Sequence, residues 1–289
     1  MEKMIFLIAI LAFAVSPLDA QYDARYAESK VVNIKNETYA IQKMLRRDNH
    51  VKVKYFAEKD GNLTVNSRYE NWAAGKKVIA ISSGTYMTTC DVNTAKPVGL
   101  CIDNGRVVNR VLGDMDGLMI VYATGGLAAS NLKNGNLTIT DAKGGKKVLD
   151  IRNNGYHLAE FIAWAEEMEA TVFQTHLFVY DNKMSIGGNS SSTTAPRRFL
   201  AVCKNDNNEI IHYIVNLPSA STLLDGTKKA YDYLNNYEDV SVVFMINLDT
   251  GCQNVFRVND KDGNTSTSKN FRGDVDPSSA ANLLVYYYE

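Results

Sequence analysis

The 289-residue sequence predicts an α+β fold: a single domain with a large mixed, mostly antiparallel sheet core and a few flanking helices. Three observations carry this. Short apolar runs of strand length recur along the chain, separated by Gly, Asn and Asp turn residues. Two stretches, Tyr156 to Ala170 and Ser221 to Tyr237, instead place apolar residues at three- and four-residue intervals, the spacing of one helix face. No internal repeat, linker or heptad run divides the chain, and its length suffices for one substantial core.

Residues 1–20 read as a cleaved secretory signal: Lys3, the apolar run MIFLIAILAFAV, then Ser16, Pro17 and the small Ala20. That run is about a dozen residues, short of the roughly 20 that span a bilayer. No cysteine follows it to accept a lipid. A secreted or periplasmic protein without a membrane span is therefore expected, starting near Gln21. Residues 21–75 are expected as an N-terminal extension packing on the main domain, residues 76–289. The 31 basic and 32 acidic residues nearly cancel, which argues against a nucleic-acid partner held by a basic face.

Cys90, Cys101, Cys203 and Cys252 form an even set that an oxidising compartment allows to pair in three ways. A local Cys90–Cys101 bridge with Cys203–Cys252 joining two strands is one reading, and free buried thiols are the other. The spacing contains no zinc motif. No metal or other cofactor is expected; Asp249 with Asn247 is conceivable for calcium, but no dense acidic loop accompanies them.

In chain order, Thr38 to Arg47 reads as a helix on the outside of the domain. VKVKYF, Val51 to Phe56, alternates apolar and basic residues as a half-exposed strand does, and Gly61-Asn62 turns it. Lys76 to Ile81 is a strand running into Ser82-Ser83-Gly84-Thr85-Tyr86. GLCIDNGRVVNR is a hairpin about Asp103-Asn104-Gly105. Further strands are read at Leu118 to Ala123, Asn136 to Asp141 and Lys147 to Ile151. After the first helix, TVFQTHLFVYD reads as one strand with Gln174 and His176 on a common face. Ile186 to Thr194 is a Gly/Ser/Thr-rich loop leading to Ala195, Pro196, Arg197, Arg198 and the apolar FLAVCK. Glu209 to Leu217 is a strand, and the second helix feeds VSVVFMINLDTGCQN. There an uncharged strand buried on both faces ends abruptly at Asn247, Asp249 and Gly251. Phe256 to Asn259 is expected to return as its hairpin partner, and Asn282 to Tyr288 closes the chain.

Several strand ends thus deliver polar groups to a sheet edge, the way many ligand sites are built. Asp249 and Gly251 are also ordinary turn residues, and two arginines at a strand start are often simply solvated. Arg197 and Arg198 nonetheless carry planar forks suited to a phosphate or carboxylate.

Four stretches together resemble the phosphodiester glycosidase domain family: Ser82-Ser83-Gly84-Thr85-Tyr86, Phe173-Gln174-Thr175-His176 with its Asp181-Asn182 turn, Ala195-Pro196-Arg197-Arg198, and Asn247-Leu248-Asp249-Thr250-Gly251-Cys252-Gln253. They occur in the family's order across roughly residues 78–287. Ser82 and Ser83 stand where the family has Asn and Gly, and Thr250, Cys252 and Gln253 where it has Gly, Gly and Ser. The resemblance implies a hydrolase that cleaves a sugar 1-phosphodiester and releases the sugar. In that reading Arg197 neutralises the departing phosphate, Asp249 stabilises an oxocarbenium-like centre or activates water, and Gly84 and Gly251 let backbone approach the ligand. Ser82, Tyr86, Gln174, His176, Arg198 and Asn247 complete the implied carbohydrate or sugar-phosphate pocket. Two alternatives are a non-catalytic exported carbohydrate-binding protein, with Tyr86 or Trp72 stacking on a sugar ring, and an envelope-interaction protein without a small-molecule site.

Overall fold

The computed structural model describes residues 24–57, 63–134, 136–186 and 192–289. The signal expected over residues 1–20, the Gly61-Asn62 turn and the centre of the 186–194 loop lie outside the described residues.

The chain opens with the hairpin β1 (Ala27–Ile34) and β2 (Glu37–Leu45), followed by β3 (Val51–Phe56), α1 (Val65–Ala73) and β4 (Lys77–Ser82). The hairpin β5 (Cys101–Asp103) and β6 (Arg106–Asn109) leads to β7 (Gly117–Val121) and β8 (Leu127–Asn131), then β9 (Asn136–Thr140) and β10 (Lys146–Asp150). After α2 (Gly155–Glu167) come β11 (Thr171–Thr175), β12 (Leu177–Tyr180), β13 (Lys183–Met184), β14 (Ala195–Lys204) and β15 (Ile210–Ser221). The last elements are α3 (Leu223–Tyr237), β16 (Ser241–Leu248), β17 (Phe256–Val258) and β18 (Leu283–Tyr288).

Three sheets share one core, and each is backed by one helix. The largest has the order β1-β2-β15-β14-β16-β12-β13, the second β6-β5-β11-β7-β8, and the third β17-β4-β18-β3; β9 and β10 form a separate ribbon. Every pair formed by the named strands is antiparallel. Tyr55, Met119, Phe173, Leu200, Ile246 and Leu284 fill the space between the sheets. On the outer faces, Ala230, Tyr233 and Leu234 of α3 pack on Phe199, Ala201 and Met245, while Phe161, Ile162 and Trp164 of α2 pack on Leu118, Ile120 and Val172. Val65, Tyr69 and Trp72 of α1 cover Ile81 and Val285. Alternation along β14 shows how the layers separate: Leu200 and Val202 point inward, Phe199, Ala201 and Cys203 toward α3.

Each helix starts on a side chain that accepts a backbone N–H: Thr64 from Ser67, Asn154 from Tyr156 and Thr222 from Asp225.

Four expectations are corrected. Residues 38–45 form β2, not a helix; they pair with β15 inside the largest sheet, and their Ala, Gln, Lys, Met and Leu content is overridden by burial. The region expected as an outer extension thus supplies three strands. The run TVFQTHLFVY is two strands: β11 lies in the second sheet and β12 in the largest, with the chain changing sheets at His176. β17 pairs with β4 instead of returning along β16, because Ser83 N donates to Val255 O and Val255 N donates to Ser83 Oγ, carrying the chain across to the third sheet. The disulfide joins Cys90 to Cys252. Cys101 and Cys203 are free and buried, one in the shared core and the other in the α3 layer.

Candidate functional site

The end of β16 is the centre of a polar cluster. Asn247 is buried, its Nδ2 donates to the Tyr86 hydroxyl at 2.5 Å and to Leu248 O at 2.9 Å, and its Oδ1 has no partner among the described residues. Two residues on, Asp249 is only 5% exposed. Its N–H donates to Gly84 O at 3.0 Å, and its Oδ1 accepts from Gly251 N at 2.8 Å. Burial raises the Asp249 carboxyl above its ordinary range, against the opposing pull of the Gly251 N–H and Arg198. No ion pair joins Asp249 to either arginine among the described residues.

The turn after β4 forms the facing wall. Gly84 N donates to Asn282 Oδ1 at 2.7 Å, and Asn282 Nδ2 donates to Thr85 O at 3.1 Å, so one amide holds both peptides. A Cβ on Gly84 would lie 2.5 Å from the Tyr55 ring, which makes glycine a packing requirement here. Thr85 Oγ1 donates to Gln174 O. This fixes Tyr86, whose ring meets His176 edge-on at 5.5 Å. Tyr86 is pushed up chiefly by burial and by the nearby Asp249, with Arg197 and Asn247 opposing. His176, stacked on Phe178, is lowered by burial while Asp116 and Asp114 pull the other way.

The two arginines point to opposite sides of β14 and have different duties. Arg197 donates from Nε to Ser221 O at 2.9 Å and from Nη2 to Thr193 O at 2.6 Å. A Cβ on Gly226 of α3 would stand 2.9 Å from its Cγ, so the helix glycine makes room for the arginine stem. Nη1 has no protein partner among the described residues. Thr250 Oγ1 donates to Pro196 O at 2.8 Å, tying the Asp249 turn to the Arg197 strand. Arg198 is fully buried, bonded to Asn216 Oδ1, Ser82 Oγ, Val255 O and Asn254 Oδ1, with its guanidinium 4.2 Å from the Phe256 ring. Burial pulls it down to about 9, while Asp249 and Asp274 pull it up.

The predicted residues therefore divide. Tyr86, His176, Asn247, Asp249, Gly251 and Gly84 meet, and Arg197 lies within electrostatic reach of Tyr86. Gln174 does not join them: its four bonds, from Leu100 N and Gly113 N and to Gly113 O and Met115 O, use the whole amide. Ser82 and Arg198 are internal struts between sheets. Trp72 packs edge-on against Tyr287 at 4.8 Å, beneath the third sheet.

Two contributors are not among the predicted site residues. Asn282 is one. Gln253 is another: its Nε2 donates to Cys90 O at 2.8 Å, and its Oε1 accepts from Ala281 N at 3.2 Å. Together with the Cys90–Cys252 bridge it fastens the Asp249 turn to the Tyr86–Val98 arm. Among the described residues no group of three or more His, Cys, Asp or Glu is gathered as a metal would require.

The sequence matches no family model and no curated protein. Solved structures are similar to this chain. The catalytic domain of zebrafish N-acetylglucosamine-1-phosphodiester alpha-N-acetylglucosaminidase, auto-inhibited by its pro-peptide, superposes with a TM-score of 0.50 at 14% identity, covering 91% of this chain and 82% of that one. A hypothetical protein from Synechocystis gives 0.46 at 12% identity, covering 91% of this chain and 62% of its own. A Burkholderia pseudomallei protein described as exported gives 0.46 at 10%, with 86% and 74% covered. The likeness to the zebrafish domain is one of fold.

Proposed function

We propose that the chain is an exported hydrolase of sugar 1-phosphodiesters that releases the free sugar. The observation that carries this is the gathering of buried Asp249 and Asn247 with the partly exposed Tyr86 and His176 at the end of β16, and the partly committed Arg197 nearby. A phosphomonoester is a good leaving group, so positive charge can replace much of the protonation an ordinary glycosidase supplies. Arg197 suits that role: two carbonyls hold its fork in place and Nη1 remains for an anion. Asp249 faces the sugar's developing positive charge or takes a proton from water, its burial strengthening either action. The Tyr86 oxygen accepts from Asn247, which leaves its own proton for a ligand oxygen.

Purified protein assayed on a panel of sugar 1-phosphodiesters tests this. Turnover by the natural sequence that disappears in Asp249→Ala and Arg197→Ala is the expected result; no turnover across the panel overturns it.

A second reading is favoured by the Asp249 turn itself, which Thr250, the disulfide and Gln253 pin on three sides. On that reading the protein binds a glycan without cleaving it, and Asp249 orients a hydroxyl. Calorimetry showing glycan binding without turnover, unchanged in Asp249→Asn, selects it.

A further inference from the structure

Away from this cluster, a cavity of about 460 Å³ opens between the edge of the second sheet and the largest sheet. Its size falls in the roughly 300–1,000 Å³ range of small-molecule sites. The floor is apolar: Val202 and Phe244 belong to the shared core, and Leu127 and Ala129 of edge strand β8 pack against it. Tyr122 and Tyr180 line it with rings that are each 38% exposed. The tyrosine rings and the apolar floor together offer a surface on which an apolar group can be buried.

Arg46 is the charged group of this cavity. It is half-buried, and its Nη1 donates to Val51 O and to Gly125 O, the latter at 3.0 Å. Among the described residues no carboxylate pairs with it, and Nε and Nη2 have no protein partner. The cavity's histidine, His212, is tied to the Tyr286 hydroxyl at 2.9 Å, and burial with the adjacent Arg46 drives it down to about 3, so it is neutral. Removing a guanidinium from water without a counter-charge is unfavourable, and an anion arriving at the cavity removes that penalty.

We propose that this cavity is a binding site for an amphipathic carboxylate, its acid group on Arg46 and its apolar tail on Leu127, Ala129 and Phe244 between Tyr122 and Tyr180. Charge and shape both select this class: a neutral apolar ligand leaves Arg46 without a counter-ion, and a compact hydrophilic anion leaves the tyrosine-lined floor uncovered.

Calorimetry on the full mature chain tests it with two matched pairs, octanoate against octanol and 4-phenylbutyrate against 4-phenyl-1-butanol. At least one acid is expected to bind saturably, one per chain, at least about tenfold more tightly than its alcohol. Whichever acid binds more tightly tells whether the tail is a chain or a ring. Arg46→Gln is expected to abolish the preference for acid over alcohol. Because Arg46 also holds two backbone carbonyls, Tyr180→Ser provides an independent variant at an exposed position and is expected to weaken the acid about three- to tenfold. Ala129→Phe fills the floor and is expected to abolish binding of both members of each pair. Alcohols binding within threefold of their acids, no saturable binding of either acid, or acid binding unchanged in both Tyr180→Ser and Ala129→Phe overturns the proposal.

Discussion

Removing the Cys90–Cys252 bridge perturbs the candidate site and the global fold at once. The bridged residues lie 162 positions apart, so the bond restrains more than half of the unfolded chain. The chain-entropy relation for a loop of that length gives about 5 kcal/mol, whereas a bridge between Cys90 and Cys101 would give only about 3 kcal/mol. Cys90→Ser with Cys252→Ser is therefore expected to lower the urea unfolding free energy by about 3–5 kcal/mol, the lower value allowing for residual structure in the unfolded chain. Reducing the natural sequence should give the same loss. Thiol titration supplies the assignment: none of the four cysteines should react in the native protein, Cys101 and Cys203 should react on unfolding, and all four after unfolding with reductant. Equal unfolding midpoints for the natural and doubly substituted chains, or a native thiol count above zero, refutes the reasoning.

Asp249→Asn should abolish turnover yet stabilise the protein at neutral pH. The folded state raises the Asp249 carboxyl above its unfolded value, so it holds the extra proton in the window between the two and stability falls as pH rises through that window. The advantage of the asparagine variant should shrink as pH drops below the ordinary carboxylate range, as thermal melts from pH 3 to pH 8 would show. Arg198→Met should lose about 3–5 kcal/mol in denaturant titration, because it strands the amides of Asn216 and Asn254 that the guanidinium now joins; Arg198→Lys should recover only part, lacking the fork. Gly84→Ala should destabilise by about 1–3 kcal/mol, since the Tyr55 ring in its way is stacked on Phe173 at 4.3 Å.

Strands with one clear face, such as Val51 to Phe56, and strands of continuous apolar residues, such as β16 and β18, were legible in the sequence. β2 was not, because it lies inside the largest sheet and its residue types also suit a helix. The sheet change at His176 leaves no compositional mark: the residues on either side are equally strand-like, and only the neighbours of each half differ. The same limit applies to the candidate site. Asp249 and Tyr86 could be named from their positions at strand ends, but the strut role of Arg198 and the complete internal bonding of Gln174 depend on residues up to 116 positions away. The disulfide partner was unreadable for that reason as well.

Asn282 sets the order in which the site can come into being. Its amide holds the Gly84 and Thr85 peptides, and the strand that follows it lies between β3 and β4 in the third sheet. The amide and the Gly84 peptide it holds are 198 positions apart, so the wall facing Asp249 rests on a non-local contact. Closing so long a loop costs entropy before the contact forms, which delays the cluster relative to the hairpins that fold from neighbouring residues.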